Sequence, residues 1–271
     1  MVAGMATALR WPAILALALP VFAGLGYMAA FGAPPSYLAL NALALGLGVV
    51  WTALGRAPAD ATARRLVALV LVALLALPLF TGPHLDGIAR WIPAGLVMLH
   101  AGMLTLPALA LLAAEDRAYG PHVLLAAALL SLLHPDSASA LALACAATGI
   151  AVGARRRLFG LIALVGLVAA LAPFPRGDLP PQPFVEHLFS DAAHRSVALA
   201  AALALALAAS LVVLVRWAGG SRAERLATAG TLIGFAGASL IGNYPTPLIG
   251  YGASAILGFA LAAGLLGKSP R

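Results

Sequence analysis

The sequence predicts an all-α, polytopic membrane protein with about ten transmembrane helices, forming one integral membrane domain over residues 1–271. Three observations predict it. Hydrophobic residues make up 63% of the chain and charged residues 9%. No soluble domain of this length could cover itself with so little polar surface, so the apolar side chains must face lipid. The apolar residues are gathered into runs of spanning or near-spanning length. The basic residues fall at alternate connections between those runs, as expected when cytoplasmic loops collect Lys and Arg.

The runs extend from Trp11 to Phe31, Tyr37 to Leu54, Leu66 to Phe80, Ile92 to Ala114 and Pro121 to Leu133. They continue from Ser137 to Gly153, Leu158 to Pro173, Ser196 to Trp217, Leu226 to Ile241 and Leu248 to Leu266. The first begins like a signal peptide, with Arg10 ahead of an apolar stretch. It carries on through Phe31 with no A-x-A cleavage pattern, so it reads as a retained span.

Thirteen of the sixteen basic residues lie on one face: Arg10, Arg56, Arg64, Arg65, Arg117, Arg155, Arg156, Arg157, Arg216, Arg222, Arg225, Lys268 and Arg271. The other face holds Arg90, Arg176 and Arg195. The positive-inside rule places the larger group in the cytoplasm, with both termini, in a bacterial inner membrane. The net charge of +7 is therefore mainly a topology signal, and no basic aromatic stripe suggests nucleic acid.

The same parity resolves the stretch from Pro121 to Gly153. One long helix would carry Arg155, Arg156 and Arg157 to the outer side. Two short helices hinged at His134, Pro135 and Asp136 keep them inside, and proline breaks a helix where that turn is needed. Each arm is near the lower limit for crossing a ~30 Å core. Asp136 at such a hinge would cost roughly 2.5–3.5 kcal/mol unpaired, so a partner such as His134 or an outer arginine is expected.

With this topology Asp86, Asp136, Asp178, Glu186 and Asp191 face outward with His84, His134, His187 and His194, which concentrates acid–base chemistry on the periplasmic side. His187 and Asp191 form an i, i+4 pair without HExxH or cysteine support, so no metal site is expected. The single cysteine, Cys145, reads as a small core residue, and Gly230 with Gly234 as a GxxxG packing motif. The spans lack the paired broken helices and midplane charges of a transporter.

LDGIARWIPAG, HPDSASA, LPPQPFVEHLF and PTPLIGYGAS, in that order along the chain, resemble motifs of the SEDS family (shape, elongation, division and sporulation). LDGIARWIPAG, from Leu85 to Gly95, is similar to the family's NGAxRWhxhG, where h is hydrophobic. HPDSASA, from His134 to Ala140, resembles the QPDLGTA hinge and sets Asp136 on its aspartate. LPPQPFVEHLF, from Leu179 to Phe189, resembles LPExHTDFIF, and aligning the last phenylalanine places Glu186 on the proposed catalytic aspartate. PTPLIGYGAS, from Pro245 to Ser254, resembles PLPFISYGGS. The family's PSELAK motif is absent: HAGMLTL, from His100 to Leu106, puts Met103 and Leu106 in place of its acidic and basic residues. The outer loop before Glu186 is also shorter than the family's and lacks its Gly-rich segments.

The resemblance implies a ten-helix bundle with a cavity open to the periplasmic leaflet, where glycan passes between undecaprenyl-pyrophosphate-linked precursors. Glu186 is then the candidate base. Arg90, Arg176 and Arg195 are candidates for the pyrophosphate, and Trp91, Asp136, Tyr251 and Ser254 for further substrate contacts. An arginine can bind phosphate bidentately, although Arg90 beside Trp91 also has the form of an interfacial anchor. No cofactor is expected; a divalent cation is compatible with the chemistry but not indicated by the sequence. The expected partners are the bilayer, the lipid-linked glycan precursor, and a membrane-anchored protein such as a transpeptidase or a larger complex. The alternative reading is a catalytically inactive SEDS-like membrane subunit, favoured by the lost motif and by glutamate in place of aspartate.

Overall fold

A computed structural model describes residues 10–84, 87–95, 97–133, 136–172 and 179–266. Leucine- and alanine-rich runs form its helices, because in lipid every backbone N–H and C=O must be satisfied within the segment. The first three are α1 (Trp11–Ala30), α2 (Pro35–Leu54) and α3 (Ala61–Ala76), the last followed by a single turn, α4 (Pro78–Thr81). Asp60 caps α3 by accepting the Ala63 N–H. Beyond a two-stranded hairpin, β1 (Trp91–Ala94) and β2 (Val97–His100), come α5 (Ala101–Glu115), α6 (Gly120–Leu133), α7 (Ser137–Ala154) and α8 (Arg157–Leu171). The described residues continue through α9 (Leu188–Arg195), α10 (Val197–Arg216), α11 (Arg222–Ile241) and α12 (Ala253–Leu265).

Among the described residues five helical segments are long and apolar enough to cross a membrane: α1, α2, α3 with α4, α7 and α10. Four shorter apolar helices, α5, α6, α8 and α12, accompany them. The chain is an all-α polytopic membrane protein with close to the expected number of spans. Its interior is built around α5, which is buried along nearly its whole length, with α7, α11 and α12 around it. The flanks of α3, α8 and α10 carry large exposed apolar side chains, among them Leu66, Leu164 and Leu205, as a lipid-facing surface requires. The GxxxG of α11 packs on α7. A Cβ on Gly230 would come within 2.4 Å of the Cys145 carbonyl oxygen, and one on Gly234 within 2.4 Å of Ala142 Cα.

The two-helix reading of Pro121 to Gly153 holds: α6 ends at Leu133, and Asp136 caps α7 by accepting the Ser139 N–H. His134 and Pro135 lie outside the described residues. The fourth expected span differs. Its first part is the antiparallel hairpin, pairing Trp91 with His100 and Ala94 with Val97, and the helix begins at Ala101. Pro93 has no N–H to donate, and Gly95 turns the chain at φ +66°, so this apolar run cannot continue as one helix. The last helix likewise starts late, at Ala253, because Leu248 (φ +64°) and Gly252 (φ +144°) hold the preceding stretch in turns. At the other end, α11 starts early, at Arg222, where Ser221 and Glu224 form a capping box.

The basic loops gather at one end of the bundle. Arg10 donates to the Thr52 carbonyl at 2.6 Å, Arg65 pairs with Asp116 at 2.6 Å and Arg64 with Glu115 at 3.4 Å. The hairpin, the segment 179–187 and the segment 242–252 meet at the opposite end.

Candidate active site

Each of those three segments is fixed before it contributes a side chain. In the hairpin, the Arg90 carbonyl accepts the Ala101 N–H at 2.9 Å, tying the start of the hairpin to the start of α5. The Arg90 side chain is only 2% exposed, and its guanidinium lies over Trp91 at 4.7 Å and Tyr244 at 5.0 Å.

The segment 179–187 is a strap. Its turn is closed by the Glu186 carboxylate, which accepts the Gln182 N–H at 2.7 Å. The Phe184 and Val185 carbonyls accept N–H groups from Tyr251 (2.7 Å) and Thr246 (3.0 Å), so strap and 242–252 segment form one unit. Gly250 is required there, since a Cβ would come within 3.0 Å of both the Thr246 and Val185 carbonyl oxygens. Phe184, His187 and Leu248, all in these two segments, have left-handed backbone, a conformation that non-glycine residues hold only where surrounding contacts impose it.

Two polar groups inside the bundle secure the arrangement. Asn41, buried in α2, donates to the Gly250 carbonyl and accepts the Gly252 N–H, each at 3.0 Å. Ser254, at the start of α12, accepts the His100 N–H at 2.8 Å. The Tyr251 ring stacks on Tyr37 of α2, with centroids 3.5 Å apart and planes within 7°.

Together these segments enclose a cavity of about 680 Å³ whose lining includes Arg90, Trp91, His100, Glu186, Tyr251 and Ser254. Burial pushes the Glu186 carboxyl above the usual carboxylate range, against the opposing pull of the Gln182 N–H and of the Arg90 charge. A group so tuned holds a proton more readily than an exposed acid. Asp136 is not part of the lining. It is 1% exposed and lies behind His100, with its carboxylate accepting from Ser139 N–H (3.1 Å) and Oγ (2.5 Å) and standing 3.5 Å from His100 Nε2. The Arg90 charge also reaches it.

Of the residues singled out in the sequence, Glu186, Arg90, Trp91, Tyr251 and Ser254 are thus brought together, with Asp136 behind them. Arg195 is not among the cavity-lining residues: it is exposed and lies over the Phe31 ring at 4.3 Å. Arg176 lies outside the described residues. Among the described residues no three His, Cys, Asp or Glu side chains converge in a way that would hold a metal ion. Sequence reasoning missed His100 and Asn41. The available signal was their isolation, because a strongly polar side chain within an apolar run needs a partner.

The fold matches solved structures of Rod shape determining protein RodA. Against an Asp-to-Ala variant of the Thermus thermophilus protein the TM-score is 0.67 at 22% identity, covering 94% of this chain and 95% of that one. Against the unsubstituted Thermus thermophilus RodA it is 0.62 at 22% identity, covering 94% of each chain. A chain from a peptidoglycan synthase complex, described as coordinating polymerization and crosslinking, matches with a TM-score of 0.61 at 21% identity, over 93% of this chain and 96% of that one. No protein-family model matches the sequence, and no curated protein matches it. The fold is that of RodA, a SEDS protein.

Proposed function

We propose that this RodA-like chain is a divergent SEDS protein that handles an undecaprenyl-pyrophosphate-linked glycan at the periplasmic leaflet, joining glycan units with Glu186 as base. The observation that carries the reading is the placement of Glu186 and Arg90 in the wall of one cavity at the bundle end poor in cations. The chemistry needs a group that takes a proton from the acceptor sugar hydroxyl as its oxygen attacks the donor's anomeric carbon. The bond from that carbon to the pyrophosphate breaks, and the lipid pyrophosphate leaves with the electron pair. A carboxylate of raised proton affinity suits the first role, and a buried guanidinium steadies the developing charge in the second. Trp91 and the stacked Tyr37–Tyr251 pair offer flat apolar faces to the sugar rings.

Residues of the cavity come from connections expected to face outward, and the alternation of basic loops supports both termini being cytoplasmic in an inner membrane. The exposed apolar flanks of α3, α8 and α10 suit a membrane-anchored crosslinking partner as well as lipid. The test is polymer formation by the purified chain given a lipid-linked disaccharide. The parent should build chains, and Glu186→Gln should not. Polymer made equally by Glu186→Ala removes Glu186 from the base role.

A second reading, an inactive subunit of a membrane complex, is favoured by the engagement of a Glu186 oxygen with the Gln182 N–H and by apolar Met103 and Leu106 at the lost motif. A parent without polymerase activity that co-purifies with a stoichiometric membrane protein in gentle detergent would establish it.

A further inference from the structure

His100 stands where the hairpin meets α5, the head of α7 and the start of α12, and the proposed reaction gives it no proton to move. Its backbone N–H donates to Ser254 at the start of α12. Its Nδ1 accepts the Met103 N–H at 3.3 Å and so caps α5. A ring nitrogen that accepts from a backbone N–H carries no proton, so the neutral imidazole bears its proton on Nε2. That nitrogen faces Asp136 Oδ2 at 3.5 Å, with the two side chains 5% and 1% exposed. The approach of α5 to α7 fixes the pair, because a Cβ on Gly102 would strike Ser139 Oγ at 1.8 Å and reach His100 Cε1 at 3.4 Å.

Arg90 carries the permanent positive charge among the cavity-lining residues, and that charge acts on two carboxylates, Glu186 within the cavity and Asp136 behind it. A buried aspartate without the His100 ring beside it would draw the guanidinium toward itself, since a desolvated charge needs a partner. Resting on the reading of the cavity as a site for a lipid-linked pyrophosphate, we propose that His100 is a positioning residue for Arg90. Its Nε2–H faces the Asp136 carboxylate across 3.5 Å at the head of α7 and offsets that charge, and the guanidinium remains directed into the cavity, where the pyrophosphate binds.

Two substitutions separate the two nitrogens of the ring. His100→Gln puts an amide N–H near the position of Nε2 and keeps the donor to Asp136. His100→Asn puts a carbonyl oxygen near the position of Nδ1 and keeps the cap on α5. The experiment titrates undecaprenyl pyrophosphate into the full chain in detergent and records the melting temperature of each variant.

His100→Asn should melt close to the parent yet bind about tenfold more weakly. His100→Gln should recover most of that affinity. Adding Asp136→Asn to His100→Asn, which removes the competing carboxylate and keeps a capping side chain, should also restore binding. Equal affinities for the two single variants, losses that track melting temperature, or no rescue by Asp136→Asn overturn the positioning role while leaving the pyrophosphate site intact. A parent that does not bind undecaprenyl pyrophosphate overturns the reading of the site, and the assignment with it.

Discussion

The two ends of the bundle use charge in opposite ways. At the basic end charges are numerous and partly exposed; Arg65 pairs with Asp116 and Arg64 with Glu115, while Arg225 donates to the carbonyls of Val215 and Gly220. Around the cavity, among the described residues, the charges are fewer and more deeply set, with Arg90 2% and Asp136 1% exposed and Glu186 half-buried. Exposed pairs are screened and contribute little, whereas a desolvated charge interacts strongly and must be held in place. The number of charges therefore separates the two ends, and their burial separates the cavity from both.

The largest effect that tests this contrast is expected from Arg90→Ala. Loss of a buried cation from the proposed pyrophosphate site should weaken binding of undecaprenyl pyrophosphate by about a hundredfold, read by titration. Replacing the exposed Arg195 by Ala should leave that affinity nearly unchanged.

Asp136→Ala should come next, as a stability effect. It removes the α7 cap and both bonds that Ser139 gives the carboxylate, a loss of about 0.5–2 kcal/mol that would appear as a drop in melting temperature. A third, smaller effect concerns pH. Glu186 must be deprotonated to act as a base, and burial raises its pKa, so the acid limb of the polymerisation rate should lie above the ordinary carboxylate value of about 4. A rate profile flat down to that value would break the link between burial and function.

The smallest effect is expected at the basic end. The hydrogen bond from Arg65 holds Asp116 down at about 2, so its stabilising contribution is present above the usual carboxylate range and is lost as pH falls toward that value. Because the pair is partly exposed, Asp116→Asn should barely move the melting temperature at neutral pH.

The same contrast explains what was legible in the sequence. Spans, loop parity and the break before Asp136 could be read because lipid imposes apolar length and loop charge directly on composition. The hairpin at Trp91–His100 could not be separated from α5, since the whole run to Ala114 is apolar and long enough to span; Pro93 and Gly95 were its faint punctuation. Within the cavity, motif spacing located Glu186, Arg90, Trp91, Tyr251 and Ser254. Counting charges could not distinguish buried Arg90 from exposed Arg195, because burial depends on contacts distant in sequence, such as Arg90 with Tyr244. The roles of Asn41 and His100 likewise exist only through partners some two hundred and one hundred and fifty residues away.

The proposed glycan transfer rests on half-buried Glu186 and buried Arg90 at the cavity, and the most direct test is polymer formation by purified parent and Glu186→Gln with equal melting temperatures. The account predicts glycan chains from the parent and at least a hundredfold less from the variant, in keeping with the roughly 10²–10⁴-fold typical of general-base catalysis. Equal polymer from both, or none from the parent, would contradict it.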